Sequence, residues 1–150
     1  MDLGLVKSIG ISNYQARHVE ELMKIARVKP VINQFELHPM YVEHETIALC
    51  KKHNILVEAY SPFARFDKRL VENQVVKDIA NRLKIDVART ILSFLLAKGF
   101  IVLPKSTHED RIANNIKLEG IELSSDDIKQ MDELGKTNSV KVCWTSDDVY

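Results

Sequence analysis

Two cysteines and five glycines in 150 residues put several kinds of protein out of reach. Cys50 and Cys143 form no clustered, metal-type ligand set, and a single disulfide would not make a scaffold. A reducing, cytoplasmic setting is the simpler expectation. The G-x-G-x-x-G dinucleotide fingerprint is absent, which weakens a Rossmann reading. Neither sign of charge is in excess, with 21 Lys plus Arg against 21 Asp plus Glu. The chain therefore carries no net field that would recruit nucleic acid or an anionic membrane, and any anion binding must be local. No stretch approaches the ~18 consecutive apolar residues of a membrane span, and the first residues lack the apolar run of a signal peptide. No repeat, low-complexity segment or composition break divides the sequence. A chain of this length can bury a sizeable core as one domain.

What is present is an alternation of short apolar runs with helical patterns. Strands are expected over residues 6–11, 31–37, 55–59 and 100–103. Helices are expected over 15–27, 44–53 and about 70–83, after a polar loop at 64–69. A further helix is capped by Asp86 and stopped by Gly99. Two more follow, one beginning by about Glu109 and one opened by Ser124-Ser125-Asp126-Asp127. Residues 136–150 read as a polar tail without periodicity. Strands alternating with helices at this spacing argue for a parallel sheet covered by helices. Four units are too few to close a barrel, which needs eight strands.

The stretch from Ile101 to Asn115 concentrates the most chemistry. A short strand stops at Pro104, and Lys105, Ser106 and Arg111 sit at its junction with the next helix. Helix N-termini favour anions, and Lys and Arg flanking a hydroxyl make a phosphate pocket plausible. The alternative is a surface Lys and Arg beside an ordinary cap, and the stretch alone admits both. Arg111 and Asn115 share a helix face; Ile112 and Ile116 are expected to pack the neighbouring face against a core.

Every expected strand ends in polar residues. In order these are Ser12-Asn13, Asn33-Gln34 with Glu36, Tyr60-Ser61, and Lys105-Ser106. In α/β barrels that end of the strands is the active face. Singly, each has a structural explanation: a helix cap, a satisfied core amide, a packed ring with its hydroxyl at the rim. Together, amides with hydroxyls suit a carboxamide, a flat Tyr ring suits stacking, and the basic pocket suits phosphate. Glu36 and Glu58 lie near adjacent strand ends, as the paired carboxylates of a glycosidase would, but a hydrogen-bonded barrel layer explains them as well. His38 and His44 lack a third metal ligand at any usual spacing.

Four segments, Ile-Gly-Ile-Ser-Asn-Tyr, Asn-Gln-Phe-Glu-Leu-His-Pro, Ala-Tyr-Ser-Pro and Leu-Pro-Lys-Ser-Thr-His-Glu-Asp-Arg-Ile, resemble the aldo-keto reductases in order and separation. The resemblance runs over about residues 3–137. It implies a (β/α)8 TIM barrel reducing aldehydes or ketones with NADP(H), of which this chain would supply about four βα units, strands five to eight. By position, Ser12, Asn13 and Gln34 would hold the nicotinamide carboxamide, and Tyr60 would stack on its ring. Ser61 and Phe63 would begin the loop over the pyrophosphate. Lys105, Ser106, Thr107 and Arg111 would meet the 2′-phosphate, with Asn115 near the adenine. Lys105 with Arg111 favours NADP over NAD, since a Lys–Arg pair suits the extra dianion.

This sequence departs from the family at Asn114, where Glu is common, and at Ala64, where Gly is usual. The larger departure is that the family's catalytic Asp, Tyr, Lys and His come from strand ends earlier than any present here. No catalytic residue is therefore assigned, and Tyr60 belongs to the cofactor stack. The resemblance implies a small carbonyl substrate only if an amino-terminal half completes the site. A half barrel also leaves two unpaired strand edges, so marginal stability of the chain alone, self-association through those edges, or truncation from a longer gene is expected.

Overall fold

The computed structural model describes residues 1–137 and 139–145. Four strands, β1 (Gly10–Ser12), β2 (Ile32–Glu36), β3 (Leu56–Tyr60) and β4 (Ile101–Leu103), form one parallel sheet in sequential order. The connections are helical: α1 (Ala16–Ile25), α2 (His44–Lys52), then α3 (Lys68–Val71), α4 (Gln74–Leu83) and α5 (Val87–Ala97) between β3 and β4. After β4 come α6 (Glu109–Asn115) and α7 (Ser125–Thr137). The result is a partial TIM barrel, four parallel strands with their helices on one side.

Strand alternation sorts the side chains into two faces. Asn33, Phe35, Val57 and Ala59 face the helices and are buried. With Val19, Cys50, Val76, Ile79, Ile91, Leu92, Phe94 and Leu95 they make the core. The other face lies in layers fixed by the register. Gly10, Ile32 and Leu56 are level, then Ser12, Gln34, Glu58 and Ile101, then Glu36, Tyr60 and Leu103. Gly10 permits the close β1–β2 approach: a Cβ there would meet the Ile32 carbonyl at 3.3 Å.

Local signals explain most boundaries. Asp86 accepts the Arg89 amide at 2.8 Å and opens α5. Gly99 adopts φ +81 at its end, a left-handed conformation glycine reaches without penalty. Asn73 accepts the Val75 amide and divides the expected 70–83 helix into α3 and α4. In the loop before them, Ala64, Arg65 and Phe66 all have positive φ, of 49, 56 and 62.

Three expectations need correction. The first strand does not begin at Val6: residues 1–9 are exposed, and pairing through β1 starts at Gly10. Ile112 and Ile116 pack no core; they are 56% and 82% exposed, because α6 packs mainly on α5 and β4 is an edge strand among the described residues. The tail is not free of structure. Lys136 and Thr137 complete α7, and Val140 and Val142 pack against the core, although residues 138 and 146–150 lie outside the described part. Helix α7 approaches the loop after β2 so closely that a Cβ on Gly135 would come within 3.0 Å of the Pro39 carbonyl.

Candidate functional site

The polar strand ends form two groups joined by β3. The first is a hydrogen-bonded chain across β1, β2 and β3. The Ser12 hydroxyl donates to the Gln34 carbonyl at 2.9 Å, and the Asn13 amide N–H to the same oxygen at 2.8 Å. Asn13, at φ 57, turns its side chain to accept the Tyr60 hydroxyl at 3.0 Å and to donate to Ser12 Oγ at 3.3 Å. Gln34 donates its amide to the Glu58 carboxylate. Ser12, Asn13, Gln34 and Tyr60 are thus brought together.

The second group lines a cleft of about 460 Å³ between the loop after β3 and the loop after β4. Ser61 and Phe63 form one wall, and Lys105, Ser106, Thr107 and Arg111 the other. A second cleft of about 370 Å³ shares Phe63, Lys105, Ser106 and Arg111 and extends to Asn115. Lys105 and Arg111 have no ion-pair partner among the described residues. Two unneutralised cations facing one cleft, in a chain of zero net charge, make a local anion trap. The Arg111 guanidinium also lies 5.9 Å from the centre of the Phe66 ring. The helix terminus adds little to this trap. Helix α6 starts three residues past Ser106, and Glu109 and Asp110 already occupy its first turn. Ser106 Oγ accepts the His108 amide at 3.1 Å and fixes the loop.

Sequence reasoning missed Arg65 and Phe66, which line the first cleft, and Asp86, Val87 and Ala88, which line the second. The one signal for the former was Ala64, in a loop whose backbone goes left-handed. It also missed how the chain's later residues return over the sheet. Glu36, 1% exposed, accepts the amides of Val142 and Cys143 at 2.7 and 2.9 Å and pairs with His38 Nε2 at 3.0 Å. Val140 donates its amide to the Met40 carbonyl at 2.9 Å. Cys143 Sγ donates to Ser61 Oγ at 3.3 Å, so this strap touches the loop that walls the first cleft. Trp144 is 58% exposed.

These contacts set the acid–base chemistry. Burial alone would raise the Glu36 carboxyl, but hydrogen bonds from His38, Val142 and Cys143 outweigh it and hold the group below its ordinary value. The Tyr60 phenol is pushed up, by burial first and then by Cys143 and Glu36, against an opposing pull from Arg65. A raised phenol that already donates to Asn13 is a poor proton donor at neutral pH. Glu36 and Glu58 are both engaged, one by the strap and one by Gln34. No group of three potential metal ligands occurs among the described residues.

Comparison with known proteins gives the context. The family model described as "Aldo/keto reductase family" matches residues 1–136. The chain is 39% identical over 137 residues to a glyoxal reductase of Bacillus subtilis, 91% of this chain and 49% of that protein. It is 41% identical over 133 residues to the oxidoreductase YtbE of the same organism, 89% of this chain and 47% of the relative. It therefore spans about half the length of the curated relatives it matches. Among solved structures, an aldo-keto reductase from a deep-sea metagenome library superposes with a TM-score of 0.92 at 30% identity, over 99% of this chain and 55% of that one. A Bombyx mori aldo-keto reductase solved in complex with NADP gives 0.87 at 32%, over 97% and 50%. A family match over nearly the whole described chain, and a backbone that overlays half of a solved reductase, agree: this protein belongs to the aldo/keto reductase family.

Proposed function

We propose that the chain is the cofactor-binding half of an NADP(H)-dependent aldo/keto reductase, corresponding to the fifth to eighth βα units of the barrel. The observation that carries this reading is the pair of unpartnered cations, Lys105 and Arg111, at the end of a cleft continuous with Ser61 and Phe63. A 2′-phosphate needs charge-assisted donors of this kind. Ser106 and Thr107 add hydroxyls, and Asn115 lines the extension where an adenine would lie.

At the other end, Ser12, Asn13 and Gln34 carry the amide and hydroxyl groups that a carboxamide would meet. Asn13 and Gln34 retain hydrogen-bonding capacity beyond the bonds they make within the chain. The Tyr60 ring lies between the two groups, where it can stack on a flat heterocycle. Bound there, a nicotinamide dinucleotide supplies the hydride. The chain's own part is to hold it, expose one ring face and neutralise its phosphates. Protonating the carbonyl oxygen needs a positioned acid, and Tyr60 with its raised pKa does not supply one. Small aldehydes or ketones are the substrate class, in line with the glyoxal reductase among the relatives. They would be turned over only with a completing half that brings the proton donor. The isolated chain is then a nucleotide binder that performs no reduction.

NADPH fluorescence titration tests this directly. Lys105→Ala with Arg111→Ala is expected to weaken NADPH binding by about a hundredfold or more, since each lost charge-assisted bond contributes ~1.5–3 kcal/mol. NADH binding should change far less. Equal NADPH affinity in the double variant refutes the pocket. Aldehyde turnover by the isolated chain at the rate of a full-length reductase refutes the division between binding and proton transfer.

A further inference from the structure

We propose that Phe66 is a positioning residue for the anion pocket: its ring holds the Arg111 guanidinium at the cleft before a nucleotide arrives, and so sharpens selection of the 2′-phosphate. The inference rests on the cofactor reading above. It adds a residue that lies outside the four segments carrying the family resemblance. The Phe66 side chain reaches the cleft from an unusual backbone. Ala64, Arg65 and Phe66 are left-handed in succession, at φ 49, 56 and 62, a conformation that L-residues resist and bulky ones most of all. Such strain persists only where the surroundings fix it, and it gathers at ligand sites. Here the surroundings are explicit. The Ala64 amide donates to the Ser61 carbonyl and the Phe66 amide to the Phe63 carbonyl, both at 2.8 Å. Phe63 before the turn and Leu70 after it are buried, so the loop is anchored on both sides. The Phe66 ring leans on the Phe63 ring, with centres 5.2 Å apart and planes at 49°, inside the range where aromatic pairs attract.

This arrangement sets the ring against Arg111. The guanidinium carbon Cζ stands over the Phe66 ring, 5.9 Å from its centre, within reach of cation–π attraction. Phe66 and Arg111 line both clefts together with Lys105 and Ser106, so the pair stands where the two clefts meet. The kind of contact matters. An ion pair would also restrain Arg111, but it would neutralise the charge that a phosphate needs. Glu109 and Asp110 are close in sequence, yet neither forms an ion pair with Arg111. A ring restrains the guanidinium and leaves its charge, and the N–H donors in its plane, free for a phosphate. A long Arg side chain loses rotamer freedom when it grips a ligand, and earlier restraint lowers that cost. NADH lacks the 2′-phosphate, so the same restraint does nothing for it. Phe66 follows β3 and Arg111 lies in α6 after β4, so the contact is made wholly within the described residues.

Fluorescence titration of the 150-residue chain with NADPH and with NADH is the test, read as the ratio of the two affinities. Phe66→Leu keeps an apolar side chain and removes the aromatic face. It is expected to weaken NADPH binding by about two- to fivefold, the range that a partly exposed cation–π contact supplies, and to leave NADH binding unchanged. Phe66→Tyr keeps the face and should keep the ratio. In an Arg111→Ala background, Phe66→Leu should cost nothing more, because the partner it positions is gone. A loss that persists in that background, or one shared equally by NADPH and NADH, overturns the inference, since the ring would then act on the loop or on the nucleotide directly. The nucleotide-free chain gives a second measurement. The Arg111 Nε–H proton should carry a ring-current shift in wild type and Phe66→Tyr that Phe66→Leu abolishes; a wild-type chain without that shift overturns the inference as well. A chain with no preference for NADPH over NADH overturns the cofactor reading and this inference together, whereas a preference that survives Phe66→Leu intact overturns this inference alone.

Discussion

The top of β2 and the far side of β4 are built from similar residues and finished to very different degrees. At β2, Leu37, His38 and Met40 are essentially inaccessible, and Glu36 is clamped by backbone that returns from Val142 and Cys143. At β4 the strand has one neighbour, and α6 buries no residue. The difference teaches where the two jobs of the chain reside. The β2 end is locked by buried contacts, while the far side of β4, with α6, carries Lys105 and Arg111 and buries little. Cations can stay unpaired there because water still solvates them; at the depth of Glu36 an unpaired charge would be costly.

Substitutions can sharpen or break that contrast. The largest effect is expected from Leu37→Ala, which empties fully buried volume and should cost ~2–5 kcal/mol in urea unfolding. Ile112→Ala, of similar chemistry on the open side, should cost less than ~0.5 kcal/mol in the monomer. Equal losses would erase the distinction. Next comes Glu36→Gln, which keeps the shape but gives up the charge that accepts from His38 and two amides. A loss of ~1–3 kcal/mol is expected, with faster hydrogen exchange at Val142 and Cys143; protection that stays unchanged would show that the clamp is not what holds the strap.

Acid should act on the buried, hydrogen-bonded carboxylates. Glu36 is held below its ordinary value. So is Asp127, where burial is opposed by the hydrogen bonds of Arg82 and Ser124. A depressed carboxylate contributes fully above its unfolded pKa, ~4, and loses that contribution as pH falls through the lower folded value. Melting temperature should be flat above about pH 5 and fall below about pH 4. The fall should be shallower in Glu36→Gln, and an identical slope would assign the acid sensitivity elsewhere. The smallest effect is expected at Ala64→Gly. Left-handed backbone costs an L-residue ~1–2 kcal/mol, and losing the buried methyl offsets part of that gain. A rise of up to about 1 kcal/mol is expected, and a clear loss would mean that the methyl's packing dominates.

The same contrast explains what could be read from residues alone. The four strands, the Asp86 cap and the Gly99 stop follow from apolar runs and local hydrogen-bonding chemistry, which act within a few residues. The split between α3 and α4 was also local, but Asn73 is a weak signal inside a strong helical period. Ile112 and Ile116 have helical spacing; spacing says which face is apolar and nothing of what covers it. The strap was the least legible part, because Val140, Val142 and Cys143 owe their positions to Met40, Glu36 and Ser61, far away in sequence. In the candidate site, strand ends announced the polar groups. Arg65 and Phe66 enter the cleft through a backbone conformation that their side chains do not encode.

The clamp on Glu36 spans 106 and 107 positions of sequence, and this has a consequence during synthesis. A ribosome delivers Glu36 more than a hundred residues before Val142 and Cys143, so the intervening chain emerges while that carboxylate still lies in water. The β2 end cannot lock until the last turn of α7 and the strap have been released. The clamp therefore closes only once the strap has been made, and a product stalled before Val142 would keep a hydrated Glu36 beneath an unlatched rim.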